Sequence, residues 1–427
     1  MKNIINAKLK SMNKKILFIN FFSFFVALHY ALISYYGSTF LAKIIGNEYV
    51  WLIYSFGAIL TLLTHLFTNK LIRKININTL VPNISIIAVL NLIVLFALQS
   101  TNLSTNVTFW LIPIHFALYI AFAQGLFMIV SVMLEDLSKD SKTGSLRGTL
   151  LSITNVGYLL APFLAKIILQ NGGQDKNLFL ASAIICAFTY FIFILFIREI
   201  PKITIHEKTN LKNDLKQVWN NKDVRNILIL QTIVEMFYAG FVIYIPLKLI
   251  SLGLSTSTYL GLILPISLTP FLFIPTWLGY LEDKIKDEKQ ILQYSFLLLS
   301  LVLSLFSFIN STSFFIWAIV IFFSRVATSA IETSTASYLF KKINVKNTSV
   351  ITFYNSTQPI AYFLSPIIFG SIYFASESFN LVFIANAIFT LLAIGIATQI
   401  SETENKEKNA ISVKNKIKNR FTKILKK

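Results

Sequence analysis

Five ionisable side chains sit well inside long apolar stretches of this 427-residue chain: Glu235, Arg325, Glu332, His29 and His115. At the centre of a hydrocarbon layer a charge costs roughly 2.5 to 3.5 kcal/mol on insertion scales, so each residue implies water, a partner or a ligand. A carboxylic acid and an arginine so placed can bind an anion or carry a proton, because a movement of the guanidinium or the arrival of an anion switches the acid between its neutral and charged forms. Arg325, Thr328, Ser329 and Glu332 follow i, i+3, i+4, i+7, one polar face of a helix that Thr335 continues. Gln231, Glu235 and Tyr238 make a second such face, and Asn20, Ser23, Tyr30 and Ser34 a third, uncharged one. Along one helix axis Arg325 and Glu332 are roughly 10.5 Å apart, so Arg325 is expected to pair across to Glu235 or to a substrate anion. Two readings stay open for the cluster: substrate or proton binding, and a static ion network bracing the second half of the chain.

The elements that must carry these residues are membrane spans. Hydrophobic residues make up 55% of the sequence and charged ones 13%, with mean hydropathy +0.67, which excludes a soluble domain. Twelve apolar runs of 19 to 28 residues, from 16–41 to 379–400, are each long enough to cross a hydrocarbon core. A net charge of +19 invites a nucleic-acid reading, but 33 of the 38 Lys and Arg fall in the N-terminal segment, alternate loops and the C-terminal tail. This is the positive-inside pattern, so both termini are expected in the cytoplasm and the basic tail against anionic headgroups, with no nucleic acid. The first run is too long for a signal-peptide core and reads as a retained span. Cys186 is the single cysteine, so neither an intrachain disulfide nor a cysteine metal site is expected.

The chain also repeats. Tyr30, Ala31 and Tyr36 recur as Tyr238, Ala239 and Tyr244, Gly157 to Pro162 recurs as Ala361 to Pro366, and Asn177-Leu178 as Asn380-Leu381, all at offsets of 203 to 208. The spacing predicts an all-α membrane protein of twelve transmembrane helices in two parallel six-helix repeats, related by an axis along the membrane normal. The expected organisation is residues 1–197 as the first bundle, 198–226 as a linker with a short surface helix near 211–219, 227–400 as the second bundle, and 401–427 as a basic tail.

In this topology and in two motifs the chain resembles the major facilitator superfamily of secondary transporters. The family's loop signature between its second and third helices, G-x-x-x-D-[RK]-x-G-[RK]-[RK], is similar to the segment holding Gly279, Asp283 and Lys284, with departures at Lys286, Asp287 and Glu288. In the first half, Lys70, Arg73 and Lys74 fit while His65 and Asn69 replace the glycine and the acid, which implies a weaker lock there. A helix 5 glycine pattern is resembled by Gly148, Gly157 and Pro162, with Ala161, Ala165 and Lys166 in place of three glycines. The resemblance implies that Gly279, Asp283, Lys284, Asn69, Lys70 and Arg73 form a cytoplasmic gate, that small residues let span 5 approach the other half, and that spans 1, 4, 7 and 10 line a central cavity. All five buried ionisable residues fall on those four spans.

The site expected from these arguments comprises Glu235, Arg325, Glu332, Gln231, Tyr238, Ser329, Tyr30 and His115. His29 and His115 each also read as helix-contact histidines, and His65 and His206 as solvated ones. Lys166 and Lys248 are expected to snorkel toward the headgroups, and the 39 Phe to be lipid-facing bulk rather than a ligand box. No paired outer-face carboxylates, His-rich set or phosphate loop points to an enzyme or an ATP-driven pump. The function expected is secondary transport by alternating access: proton-coupled, export favoured over metabolite uptake, with a non-transporting sensor or scaffold as the other class. Its partners would be a small-molecule substrate, protons and the lipid bilayer, without cofactor or metal, for a monomer in the inner (plasma) membrane.

Overall fold

The computed structural model describes residues 2–72, 75–101, 104–137, 143–170, 174–196, 216, 218–285, 288–342 and 348–401. Most of the expected linker and the basic tail lie outside this set, as does Arg73; for Asn69, Gly148, Gly279, Asp283 and Lys284 only the backbone, helical in each case, is within it. Twelve helices in the described residues are long and apolar enough to cross a membrane. They are α1 (Lys2–Ile45), α2 (Val50–Ile72), α3 (Ile77–Ser100), α4 (Thr105–Leu137), α5 (Thr143–Gln170), α6 (Asp175–Leu195) and α7 (Lys222–Ser251). After α7 come the composite α8, then α9 (Glu288–Phe308), α10 (Phe314–Lys342), α11 (Thr348–Ser376) and α12 (Phe379–Ala397). α8 is built from Thr256–Thr258, a π-helical turn at Tyr259–Ile263, Leu264–Leu268 and Pro270–Ile285. With no backbone groups to spare in lipid, helices are the structures these apolar runs can form.

Polar residues at the run boundaries set where helices start. Asn76, Asn221, Ser255 and Ser378 each turn a side-chain oxygen onto a free backbone N–H of the first turn of α3, α7, α8 and α12. Both α1 and α7 stop just before a glycine at positive φ, Gly46 at 82° and Gly253 at 92°, where a Cβ would be strained. These two glycines are 207 residues apart, a further correspondence between the halves.

The packing repeats as well. In the first six helices α1 packs against α4, α5 and α6, α3 against α4 and α6, and α2 against α4; in the second six, α7 packs against α10, α11 and α12, α9 against α10 and α12, and α8 against α10. Each pairing in one set has its counterpart six helices on. The two sets meet through α2 with α11, α5 with α8, and α1 with α7.

The halves touch mainly on one side. Let the near side be where α1 begins and α12 ends. On the far side Gly370 of α11 lies under the Trp51 ring of α2, and Gly261 in the π-turn of α8 lies under the Lys166 side chain of α5. Gln170 Nε2 donates to Ser257 Oγ (2.6 Å), Ser38 Oγ donates to the Val242 carbonyl (3.0 Å), and the Tyr49 and Phe374 rings lie 6.2 Å apart. The apolar core follows the same division: one buried cluster runs through both halves, while a separate one around Phe18, Phe22, Leu126 and Phe193 fills only the near-side end of the first half.

The family motif implies that small residues of α5 face the other half. Gly157 instead faces α1 in its own half, where an added Cβ would meet the Phe24 carbonyl at 2.8 Å and Ala27 Cβ at 3.0 Å. The small residue that admits α5 to the second half is Gly261 on α8, and the π-turn of α8 supplies it.

Candidate functional site

Gln231, Glu235 and Tyr238 fall on one face of α7, whose start Asn221 fixes, and the first two are almost wholly buried. Gln231 Nε2 donates to Glu235 Oε1 (3.1 Å), while Gln231 Oε1 accepts from Thr335 Oγ1 of α10 (2.7 Å) and from Tyr354 Oη of α11 (3.1 Å). One amide thus ties the acid to two neighbouring helices. A buried carboxyl needs such partners, and this one has a neutral amide where an ion pair could have been.

Arg325 does not meet Glu235 as the sequence leads one to expect. Its guanidinium lies 3.7 Å from the ring centroid of Phe241, with Tyr238 at 5.3 Å, Phe237 at 5.5 Å and Phe271 of α8 at 5.9 Å. It pairs with no acid among the described residues, and its Nε is buried without a hydrogen-bond partner, as is Ser329 Oγ one turn on. The physical reason is spacing: Phe237, Tyr238 and Phe241 occupy the turn of α7 beyond Glu235, so the face that meets Arg325 is aromatic. Ring faces hold a desolvated cation by about 2 kcal/mol, less than the several kcal/mol that burying it costs. The remainder leaves a positive site inside the membrane. Glu332, half-buried two turns along α10, keeps a carboxylate that is not tied to Arg325.

The first half holds a second polar region. A cavity lies between α1, α2, α4 and α11, and Tyr30 and Gln124 are among its walls. Gln124 Nε2 donates to Tyr30 Oη (3.0 Å). Of the tyrosines repeated between the halves, Tyr30 alone lines this cavity. Tyr36 accepts from Lys43 Nζ (2.7 Å), which also pairs with Asp175 (2.8 Å), and Tyr244 packs against Tyr373, their rings 6.1 Å apart.

The histidines divide. His29 Nδ1 bonds Tyr119 Oη (2.9 Å), and the His29 carbonyl accepts from Tyr119 and Ser182, knitting α1, α4 and α6 together. His115 Nδ1 bonds Asn91 Oδ1 of α3 (2.8 Å), so the structure turns it away from the α7–α10 cluster it was grouped with. His65 lies on the cavity wall with Nε2 against the Gln124 carbonyl (3.3 Å), not in solvent. Lys248 does not snorkel either. It is 2% exposed and donates to the Phe306 carbonyl at the end of α9 (2.6 Å) and to Asn380 Oδ1 (2.8 Å). A helix C-terminus presents unpaired carbonyls and negative partial charge, which is a good site for an ammonium inside the fold.

The Phe side chains were expected as lipid-facing bulk, yet Phe237, Phe241 and Phe271 enclose the buried cation. Gln358 and Tyr362 of α11 and Tyr54 of α2 also line the cavity, and no sequence motif marks Gln358 or Tyr54. One signal was present in the sequence: Gln124 is the lone amide in the 107–134 run. Of the gate residues, Lys70 is exposed at the near-side end of α2.

A model of the Major Facilitator Superfamily matches residues 93–292 and 266–427, most of the chain. No curated protein matches it by sequence. Among solved structures it resembles a bacterial homolog of the human lysosomal transporter Spinster, in an inward-facing and unoccupied conformation, with TM-score 0.68 and 12% identity over 91% of this chain and 96% of that one. It also resembles a mutant form of the nucleoside transporter NupG, with TM-score 0.69 and 12% identity over 90% of this chain and 99% of that one. At these identities the likeness is one of fold, and it agrees with the mirrored packing of the two six-helix sets. Family match and fold together establish that the chain belongs to the Major Facilitator Superfamily.

Proposed function

We propose that the protein is a secondary transporter that moves a small molecule by alternating access, coupled to protons carried by Glu235 or Glu332 with Arg325 tuning the carrier. The observation that carries this reading is the buried Glu235 held by the neutral amide of Gln231, with a buried arginine on α10 that makes no salt bridge among the described residues. With both acids ionised the trio has a net negative charge. One proton brings it to zero and a second leaves the arginine in excess, so proton binding alters what the site can hold. Sodium is disfavoured, because a sodium site needs several oxygen ligands converging at one point and an arginine repels the ion.

The near side is read as the cytoplasm from the loop charges, in an inner (plasma) membrane. The contacts between halves on the far side then correspond to a state open to the cytoplasm. Export is favoured over uptake by the partial helix 5 pattern alone. Proteoliposomes under an imposed pH gradient, screened against a panel of metabolites and toxins, test the proposal. Glu235→Gln and Glu332→Gln should each keep substrate exchange, and at least one should lose gradient-driven accumulation. Accumulation by both variants at the wild-type level would leave the acids as a static brace.

A further inference from the structure

The cavity between α1, α2, α4 and α11 has a chemistry distinct from the α7–α10 cluster. What it can hold is set by the side chains of its wall. No Asp, Glu, Lys or Arg is among its lining residues. Four rings face it, from Tyr30, Tyr54, Phe116 and Tyr362, with Tyr54 and Phe116 meeting edge to face at 6.1 Å. Such rings present flat apolar faces on which another ring can stack.

Apart from the His65 imidazole, whose Nε2 is already engaged by the Gln124 carbonyl (3.3 Å), its polar groups are amides and hydroxyls with capacity left over. Gln124 spends one N–H on Tyr30 Oη, and its side-chain oxygen accepts nothing among the described residues. Among the described residues the Gln358 amide and the Tyr362 hydroxyl make no hydrogen bond, and the buried Tyr54 hydroxyl has no partner. The unpartnered Tyr54 hydroxyl is costly unless a ligand or water completes it, and the half-buried Gln358 and Tyr362 keep polar groups free for one. An amide offers donors and an acceptor side by side, so its complement is a group with the same pair reversed. An ionised ligand would enter without an Asp, Glu, Lys or Arg in the wall as its counter-charge.

We infer that this cavity is the substrate pocket and that it takes an uncharged, planar, ring-containing molecule with an amide-like hydrogen-bonding edge. The inference rests on the transporter reading and adds a division of labour to it: the neutral substrate sits against the first half and α11, the proton on the acids of the second. Tyr362 joins the two regions, since it lines the pocket and stands within electrostatic range of both Glu235 and Arg325.

The test is binding by the purified full chain in detergent, measured by titration calorimetry. Three probes differ in one property each: nicotinamide, a neutral planar amide; nicotinate, the same ring carrying a carboxylate; and cyclohexanecarboxamide, the same amide without a planar ring. Nicotinamide should bind at least tenfold more tightly than either of the others. Gln358→Ala should weaken it at least fivefold, and Phe116→Leu, which removes a stacking face at nearly constant volume, should do the same. Each variant is accepted only as a single symmetric gel-filtration peak. Equal or tighter binding of nicotinate or cyclohexanecarboxamide, absence of nicotinamide binding, or indifference to both substitutions would overturn the inference. A protein that fails these tests yet accumulates a charged solute under an imposed pH gradient would keep the transporter reading and lose only this pocket chemistry.

Discussion

The guanidinium of Arg325 on α10 stacks 3.7 Å from the ring centroid of Phe241 on α7, with no carboxylate paired to it among the described residues. A buried cation held by rings has an electrostatic need still to be met. Phe241→Tyr, which keeps the ring, should retain most transport activity, whereas Phe241→Leu should lower it at least tenfold, in line with about 2 kcal/mol for a desolvated cation–π contact. Initial rates in proteoliposomes for the two variants decide this. Equal rates would mean that the stacking is incidental.

Gln231 couples Glu235 to Thr335 and Tyr354. Gln231→Leu removes the donor to the acid and leaves two hydroxyls without their shared acceptor, a loss of about 1 to 3 kcal/mol. The expected result is a lower unfolding midpoint and at least a tenfold fall in pH-driven accumulation. Gln231→Glu adds a second acid beside Glu235, and the pH at half-maximal transport should move. A pH profile superposable on wild type would contradict the coupling of this amide to the carrier.

The far-side seam is made by small residues under large ones. An added Cβ at Gly370 would fall inside the Trp51 side chain, and indole in a helix interface cannot yield easily. Gly370→Ala should therefore open the far side and raise the labelling rate of a cysteine placed at Ser38, with Trp51→Ala as a second substitution restoring the wild-type rate. Gly261→Ala should have a smaller effect, because the group it meets is the flexible end of Lys166. Equal labelling in Gly370→Ala and wild type would show that the seam is not a gate.

Asp283 and Lys284 lie at the near-side end of α8, in the motif that implies a lock formed when that side closes. Asp283→Asn should shift the population further toward the near-side-open state, opposite in sense to Gly370→Ala. Unchanged cysteine accessibility on both faces would count against it.

The spans and their polar faces were legible in the sequence because lipid permits few alternatives: a run of about twenty apolar residues is a span, and an acid within it faces inward. Thus Gln231 and Glu235 fall on one face of α7, as their helical spacing implies. The partners across helices were not legible. Phe237 and Phe241 have the same composition as the lipid-facing phenylalanines, and only the packing of α7 against α10 places them around Arg325. His115 and Lys248 look alike in sequence to cavity and interface residues, yet Asn91 on α3 and the end of α9 claim them. Gly261 was invisible for a different reason. Its use depends on a π-turn in α8, which shifts the face of the helix by a residue that no apolar periodicity records.

The central claim is that Glu235 or Glu332 takes up and releases a proton inside the membrane, and infrared difference spectroscopy across a pH step measures this without knowledge of the substrate. Wild-type protein in lipid should show the carbonyl stretch of a protonated carboxyl that disappears as pH rises, and that band should be lost in Glu235→Gln or in Glu332→Gln. A wild-type spectrum whose titrating carboxyl band survives intact in both variants would contradict the account.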